Sequence, residues 1–297
     1  MTTVVPTEAE LKPKKREKYY VTTLKRLFTN KLAIVGLIIV ILQVLLAIFA
    51  PFITAYDPIE QDLANSELPV FSDGHWLGTD NYGRDVWSRI VYGARISLVV
   101  GVVAVTLGLI GGITLGLLGG YYRKLDSPIM RIVDLLFSFP GILLAMLIIA
   151  ILGTSLINVA IAISIWSIPT CARIVRGSVL SVKEKEYIMA MRSMGASDLR
   201  IMVKHILPNI TAPIIVFATM RMATAILSTA ALSFLGLGAQ PPTPEWGAMI
   251  SQGQDFMWSA PHLTIVPGIA IMLTVFAFNV LGDGLRDALD PNMNLEQ

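Results

Sequence analysis

The stretch EYIMAMRSMGASDLRIMVKHILPN, residues 186–209, is polar and basic, and it lies between two strongly apolar regions. No Asp, Glu, Lys or Arg occurs from Leu135 to Ala172 before it, or from Met222 to Pro244 after it. The flanks belong in lipid and the loop in water. That contrast sets the fold class: an integral membrane chain with a substantial loop for another molecule to grip.

The rest of the chain repeats the contrast. Hydrophobic residues make up 54% of the 297 and charged residues only 15%, against about 25% charged in ordinary soluble domains. Further charge-free runs cover Leu32–Tyr56, Ile96–Tyr122 and Phe256–Gly282. About 20 apolar residues cross a hydrocarbon core of ~30 Å. The run 135–172 is too long for one crossing, and Gly153-Thr154-Ser155 with Asn158 offers a polar turn inside it. Six spans are therefore expected, near 32–54, 96–120, 129–152, 156–175, 209–236 and 263–283. Backbone amides in lipid must be paired within the segment, so the spans are helices. The runs lack the period-2 alternation of a barrel strand. The expected fold is an all-α integral membrane protein.

Lys and Arg set an orientation. Lys12, Lys14, Lys15, Arg16, Lys18, Lys25, Arg26 and Lys31 precede the first span. Arg123, Lys124 and Arg131 follow the second span. Seven more lie between Arg173 and Lys204, and Arg286 is in the C-terminal tail. Only Arg84, Arg89 and Arg95 fall on the other side. The positive-inside rule then places both termini in the cytoplasm. A basic tail beside a first span is read as a topology signal rather than a nucleic-acid site. The first apolar run begins only after Lys31 and is too long for a cleavable signal, so it reads as a retained anchor.

The organisation expected is a cytoplasmic tail over 1–31, a first membrane helix over 32–56, an extracytoplasmic loop over 57–94, a five-helix core over 95–284 and a cytoplasmic tail over 285–297. Residues 1–18 read as disordered. Tyr20, Leu24, Leu27 and Phe28 form one apolar face of a short interfacial helix. Gly108, Gly112 and Gly116 share a helix face that permits close approach, either within this chain or against a neighbour. Pro140-Gly141 and Pro169 are expected to kink their helices. Cys171, the single cysteine, reads as a packing residue.

Within the 178–208 loop, Glu186–Met194 can form two turns, and Gly195 is a natural stop. Ser197 can cap a second helix with Asp198 near its positive end, and Pro208 is expected to close it. Tyr187, Met191 and Met194 would form an exposed apolar ridge suited to a partner's groove.

This segment resembles the cytoplasmic coupling loop of permease subunits of binding-protein-dependent ABC importers. Their pattern is Glu-Ala-Ala, a short spacer, Gly, and a hydrophobic–Leu–Pro ending. Here the matching positions are Met189-Ala190-Met191, Gly195 and Ile206-Leu207-Pro208. Met189 stands in place of the Glu and Met191 in place of the second Ala, with Glu186 one turn earlier. Asn30-Lys31-Leu32-Ala33, the Leu77–Asp85 stretch and Pro241-Pro242-Thr243-Pro244 with Trp246-Gly247 resemble the C-type subunits of the peptide/nickel subfamily. The resemblance implies a type I importer fold in the inner membrane of a prokaryote. It implies a homologous permease in a heterodimer, two cytoplasmic ATPases that bind ATP and Mg, and an extracytoplasmic peptide-binding protein. The loop residues Glu186, Tyr187, Ala190, Met191, Met194, Gly195, Ala196, Leu207 and Pro208 would meet the ATPases. The cargo would be dipeptides or oligopeptides, with nickel or another small solute as the alternative.

Two further sites are expected. Asp80, Arg84, Asp85 and Trp246 are candidates to meet a delivered binding protein at the pore mouth, or else to stiffen the outer helix ends. Arg221 is the one basic residue deep inside a span, where a lipid-facing charge costs ~2.5–3.5 kcal/mol on insertion scales. It should face protein, or else the path where it would meet a peptide carboxylate. Asp134 is expected to pair near Arg131. No Gly-Lys dipeptide is present, so the chain has no P-loop of its own. His75, His205 and His262 are scattered, without metal-ligand spacing, and no hydrolase or zincin motif occurs. The chain is expected to be neither an enzyme nor a metal protein. An ion-coupled secondary transporter would need paired mid-span carboxylates, and only Asp134 lies inside a span.

Overall fold

The computed structural model describes residues 19–290. The expected disordered tail over 1–18 and the end of the C-terminal tail lie outside them. The regular structure is helical. A short helix α1 (Tyr19–Leu27) precedes α2 (Lys31–Ile53), α3 (Val86–Tyr121), α4 (Arg123–Phe137), α5 (Gly141–Leu152) and α6 (Leu156–Lys183). Then come α7 (Glu186–Ser193), α8 (Asp198–Ile201), α9 (Thr211–Phe234), α10 (Trp246–Gly253) and α11 (His262–Leu289).

The glycine stripe organises the bundle. A methyl on Gly108 would meet Ser167, on Gly112 Cys171, on Gly116 Val175 and on Gly120 Val179. Four contacts, each four residues on from the last in both helices, join α3 and α6 side by side. Residue numbers rise together along the seam, so α3 and α6 run parallel. The stripe therefore packs within this chain, and Cys171 is a packing residue in it.

The parallel seam also decides the membrane topology. Two adjacent parallel helices require the chain between them to return across the membrane. That chain is α4 and α5, which meet at 91°. Helix α5 has 12 residues, about 18 Å at 1.5 Å per residue, short of the ~30 Å core. The pair together therefore makes the third of six crossings. The kink expected at Pro140-Gly141 within the span over 129–152 is a full elbow, and the crossing begins earlier, at Arg123. The reason is partly local and partly tertiary: Pro140 cannot continue α4, and the Trp166 ring of α6 fills the space a side chain on Gly141 would take.

Helix α2 returns beside α11 in the opposite sense. Gly36 lies against Ala277 and Val280, and Gly284 against Ala33, while Gln43 Nε2 donates to Thr274 Oγ1 at 2.7 Å. Small residues let the backbones approach, which is the main source of helix association in lipid. The outward side chains of α2, among them Ile38, Leu42, Ile48 and Phe52, are exposed and suit lipid contact. Leu27 of α1 is buried against the end of α11, whereas Leu24 and Phe28 are exposed. α1, the α7–α8 loop and the end of α11 share one face of the bundle, here the loop end; residues 54–85 and α10 cover the other, the cap end.

Two span limits move outward from the charge-free runs. Helix α3 begins at Val86 because Asp85 caps it: Ser88 N donates to Asp85 Oδ2 at 2.7 Å. Helix α6 runs through Pro169 and continues to Lys183, whose Nζ donates to Gly120 O at 2.7 Å at the end of α3. A cation there suits the negative helix terminus.

Candidate coupling site and translocation path

The loop after α6 is a packed block. Ile188 of α7 is fully buried beside Tyr121, Val175, Val179, Val182, Ile201, Met202, Ile206 and Ile210. Gly195 has φ +81°, and Ala196 N donates to Met191 O while Gly195 N donates to Arg192 O. This pair of bonds closes α7 in the left-handed manner that favours glycine. Nothing crowds Gly195, so the backbone turn is its reason. Ser197 stands at the cap position of α8 but makes no side-chain cap bond.

Tyr121, the last residue of α3, clamps both loop helices. Its hydroxyl donates to Asp198 Oδ1 at 2.6 Å, and the Arg192 guanidinium lies 4.9 Å from its ring centre. The loop is therefore tied to α3 as well as to α6.

Pro208 does not end a helix. The helical path from Asp198 runs on to Phe234, through a widened turn at Met202–Ile206 and a tight one at Leu207–Ile210. Asn209 Nδ2 takes up a carbonyl that the missing proline N–H leaves loose, donating to His205 O at 2.6 Å, and Thr211 Oγ1 donates to Pro208 O at 2.9 Å.

The outward face differs in part from the expected ridge. Tyr187 and Met194 are exposed, Met194 at 77%, but Met191 is half-buried. Met189, Leu199 and Val203 join the exposed apolar set. The i, i+4 spacing of Leu199 and Val203, out of phase with buried Ile201, Met202 and Ile206, was the available sequence signal. Glu186, Ala190 and Pro208 are exposed, and Ala196 and Leu207 pack partly against the buried cluster.

At the cap end, Asp80, Arg84, Asp85 and Trp246 are buried, so none is presented on the surface of this chain. Asp80 Oδ2 accepts from Arg84 Nε at 2.7 Å and lies 3.5 Å from Arg89 Nε, while its Oδ1 accepts from the backbone N of Tyr82 and Arg84. Arg84 reaches Gln252 Oε1 of α10 at 3.0 Å, and Arg89 donates to Pro58 O and Pro242 O. His75 Nδ1 lies 2.9 Å from Asp85 Oδ1. Gly83, at φ +72°, passes so close to Asp62 that no side chain fits. The segment over 57–85 is thus bolted to α3, α10 and the proline-rich link.

Trp246 is buried inside the protein. Its ring lies on Gly93, with Nε1 donating to Ile90 O at 3.0 Å. Beside it Glu245 is fully buried and caps α10 through Ala248 N at 3.0 Å. Burial pushes its carboxyl above the usual range.

Asp134 pairs with Arg173 Nη2 of α6 at 2.6 Å rather than with Arg131, and Asp126 takes a two-pronged bond from Arg176. Both tie α4 to α6. Arg221, at the middle of α9, makes no ion pair among the described residues. Its guanidinium stacks 4.7 Å from the centre of the Trp166 ring, and its Nε is buried without a hydrogen-bond partner. It lines a groove of about 630 Å³ together with Met220, Thr224 and Arg286. Trp166 was not a sequence candidate; nothing near it in the chain marks it.

Residues 112–295 match the family of binding-protein-dependent transport system inner membrane components. The chain belongs to that family. Residues 19–69 also match the N-terminal membrane domain of oligopeptide transport permease C. The dipeptide transport system permease protein DppC of Alkalihalophilus pseudofirmus is 55% identical over 270 residues, covering 91% of this chain and 88% of that one. The glutathione transport system permease protein GsiD of Escherichia coli is 51% identical over 273 residues, covering 91% and 89%. In fold, the chain is similar to an inward-facing structure of the MetNI methionine ABC transporter, with TM-score 0.57 and 22% identity over 69% of this chain and 98% of that one. This inner-membrane permease therefore has the helical fold of an ABC importer component, as its sequence motifs led one to expect.

Proposed function

We propose that this permease forms half of the membrane channel of an ABC importer for short peptides. The carrying observation is the α7–α8 block, with a buried aliphatic root on α3 and α6 and an apolar outward face. Such a face fits a groove on a cytoplasmic ATPase. The basic residues cluster at this end, so the loop end and both termini face the cytoplasm. A homologous permease completes the channel, and two ATPases bind ATP and Mg, for which this chain has no P-loop.

The mechanism is alternating access. A binding protein delivers cargo over the cap end. ATP binding draws the two ATPases together, and the motion enters through Tyr187, Met189, Met194 and Leu199. Ile188 and Tyr121 pass it to α6 and α3 as one parallel unit, because their glycine seam is too close to slide freely. Asp80, Arg84, Asp85 and Trp246 act as positioning residues that hold the cap in shape for docking. Arg221 faces the path. Peptide cargo is supported by relatives named for dipeptide and glutathione transport, both small peptides.

Co-purification with the partner permease and ATPases, followed by uptake into vesicles, tests the reading. ATP-dependent uptake of a dipeptide delivered by the binding protein is the expected result. A Met194→Cys variant should react with a membrane-impermeant thiol reagent from the cytoplasmic side only. Labelling from outside would reverse the orientation.

A further inference from the structure

Arg221 presents an imbalance. A guanidinium in the middle of a spanning helix is costly unless an anion meets it. Among the described residues no carboxylate does so. Among those residues its side chain meets the Trp166 ring, with the cation 4.7 Å from the ring centre. That interaction holds a cation in place without neutralising it. The ring is itself fixed, since it occupies the space over Gly141 at the α4–α5 elbow.

The groove beside Arg221 has a definite extent. It reaches along α9 from Ala212 to Thr224 and touches Arg286 and Asp290 near the end of α11. Twelve residues of helix correspond to about 18 Å, so the groove runs from the loop end to mid-membrane. Its volume of about 630 Å³ falls within the roughly 300–1,000 Å³ of ordinary small-ligand sites. Val216, Phe217 and Met220 line it with apolar surface. The groove carries Arg286 and Asp290 at its loop end and Arg221 at its inner end, with apolar walls between them, which suits a small molecule whose anionic terminus enters first and whose body is tolerated.

We propose that Arg221 is the subsite for the free α-carboxylate of a short peptide, with Trp166 as the positioning residue that keeps the guanidinium aimed into the groove. The inference rests on the importer reading above. It adds a chemical criterion: cargo is selected at mid-membrane by its C-terminal charge and not by its side chains. It also links cargo to conformation, because the platform under Arg221 is wedged into the elbow of the third crossing.

The test uses the whole importer in proteoliposomes. Uptake of Ala-Ala is compared with that of its C-terminal amide, each at a concentration giving equal binding-protein-dependent stimulation of ATP hydrolysis. Arg221→Met and Arg221→Gln should lower Ala-Ala uptake about tenfold or more and leave amide uptake unchanged. Arg221→Lys should retain an intermediate rate. Trp166→Leu should follow Arg221→Met, while Trp166→Phe, which keeps an aromatic face, should recover most of the loss. Co-purification of the partner permease and the ATPases should stay at wild-type levels in all of them, which separates a lost subsite from a lost assembly. Equal loss for both peptides, no loss for either, or release of the partner permease from Arg221→Met would overturn the subsite. Absence of ATP-dependent uptake by the wild type overturns the importer reading itself, and the subsite with it.

Discussion

The cap end and the loop end are held by opposite means. At the cap, buried charge fastens the chain: Asp80 lies between Arg84 and Arg89, and the two arginines reach α10, Pro58 and Pro242. At the loop, aliphatic side chains around Ile188 do the fastening, and the polar clamp at Tyr121 and Asp198 sits at the margin. Buried ion pairs demand one geometry, since a misplaced charge is expensive. Aliphatic packing against two helix ends moves as a body and leaves an apolar face outward. The cap thus fixes a shape, and the loop is built as the proposed coupling requires, a rigid block with a free apolar face.

The comparison breaks first at Asp80. Asp80→Ala leaves Arg84 and Arg89 buried without their carboxylate, which costs about 3–5 kcal/mol. The expected outcome is loss of folded protein, read as yield and thermal midpoint in detergent. A normal midpoint would mean that the cap is not held by charge. Next comes the seam that joins loop to core. Gly112→Leu would overlap Cys171 and should cost about 1–3 kcal/mol by overpacking, again read as a lowered thermal midpoint.

Tyr121→Phe is smaller and of a different kind. It removes one hydrogen bond, worth about 1 kcal/mol, and should leave stability close to wild type. Peptide moved per ATP hydrolysed should fall severalfold, because the loop is loosened from α3. Unchanged stoichiometry would assign transmission to α6 alone.

The smallest expected effect is at Glu245. Its folded-state carboxyl titrates above the ordinary range because burial disfavours the charge. The native chain then binds more protons than the unfolded chain in that window, so stability falls as pH rises through it. Glu245→Gln should flatten this dependence and gain on the wild type toward alkaline pH. Parallel pH profiles of the two thermal midpoints would contradict it.

Much of this architecture was legible in the sequence. Charge-free runs located α2, α6, α9 and α11, and Gly195 marked the end of α7. What escaped depends on residues distant in the chain. The 91° elbow needs Trp166 over Gly141, and Pro140-Gly141 alone signals only a kink. Asp80, Arg84 and Asp85, in a loop rich in Gly and Pro, leave surface contact and stiffening of the helix ends both open until Gln252, Pro58 and Pro242 are brought to them. Trp246 reads as a candidate contact at the pore mouth, yet Gly93, far earlier in the chain, opens a slot that buries it. Arg221 stood out as a cation in a span, but only the fold supplies its platform.

The most direct measurement is coupled ATP hydrolysis and peptide uptake by the full importer carrying Met194→Asp. Met194 is exposed and contributes nothing to the buried root, so the variant should fold and reach the membrane as the wild type does. A charge on the apolar face should abolish binding-protein-stimulated hydrolysis and lower uptake by more than tenfold. Full stimulation with full uptake would contradict the account, because force would then enter the membrane by another route.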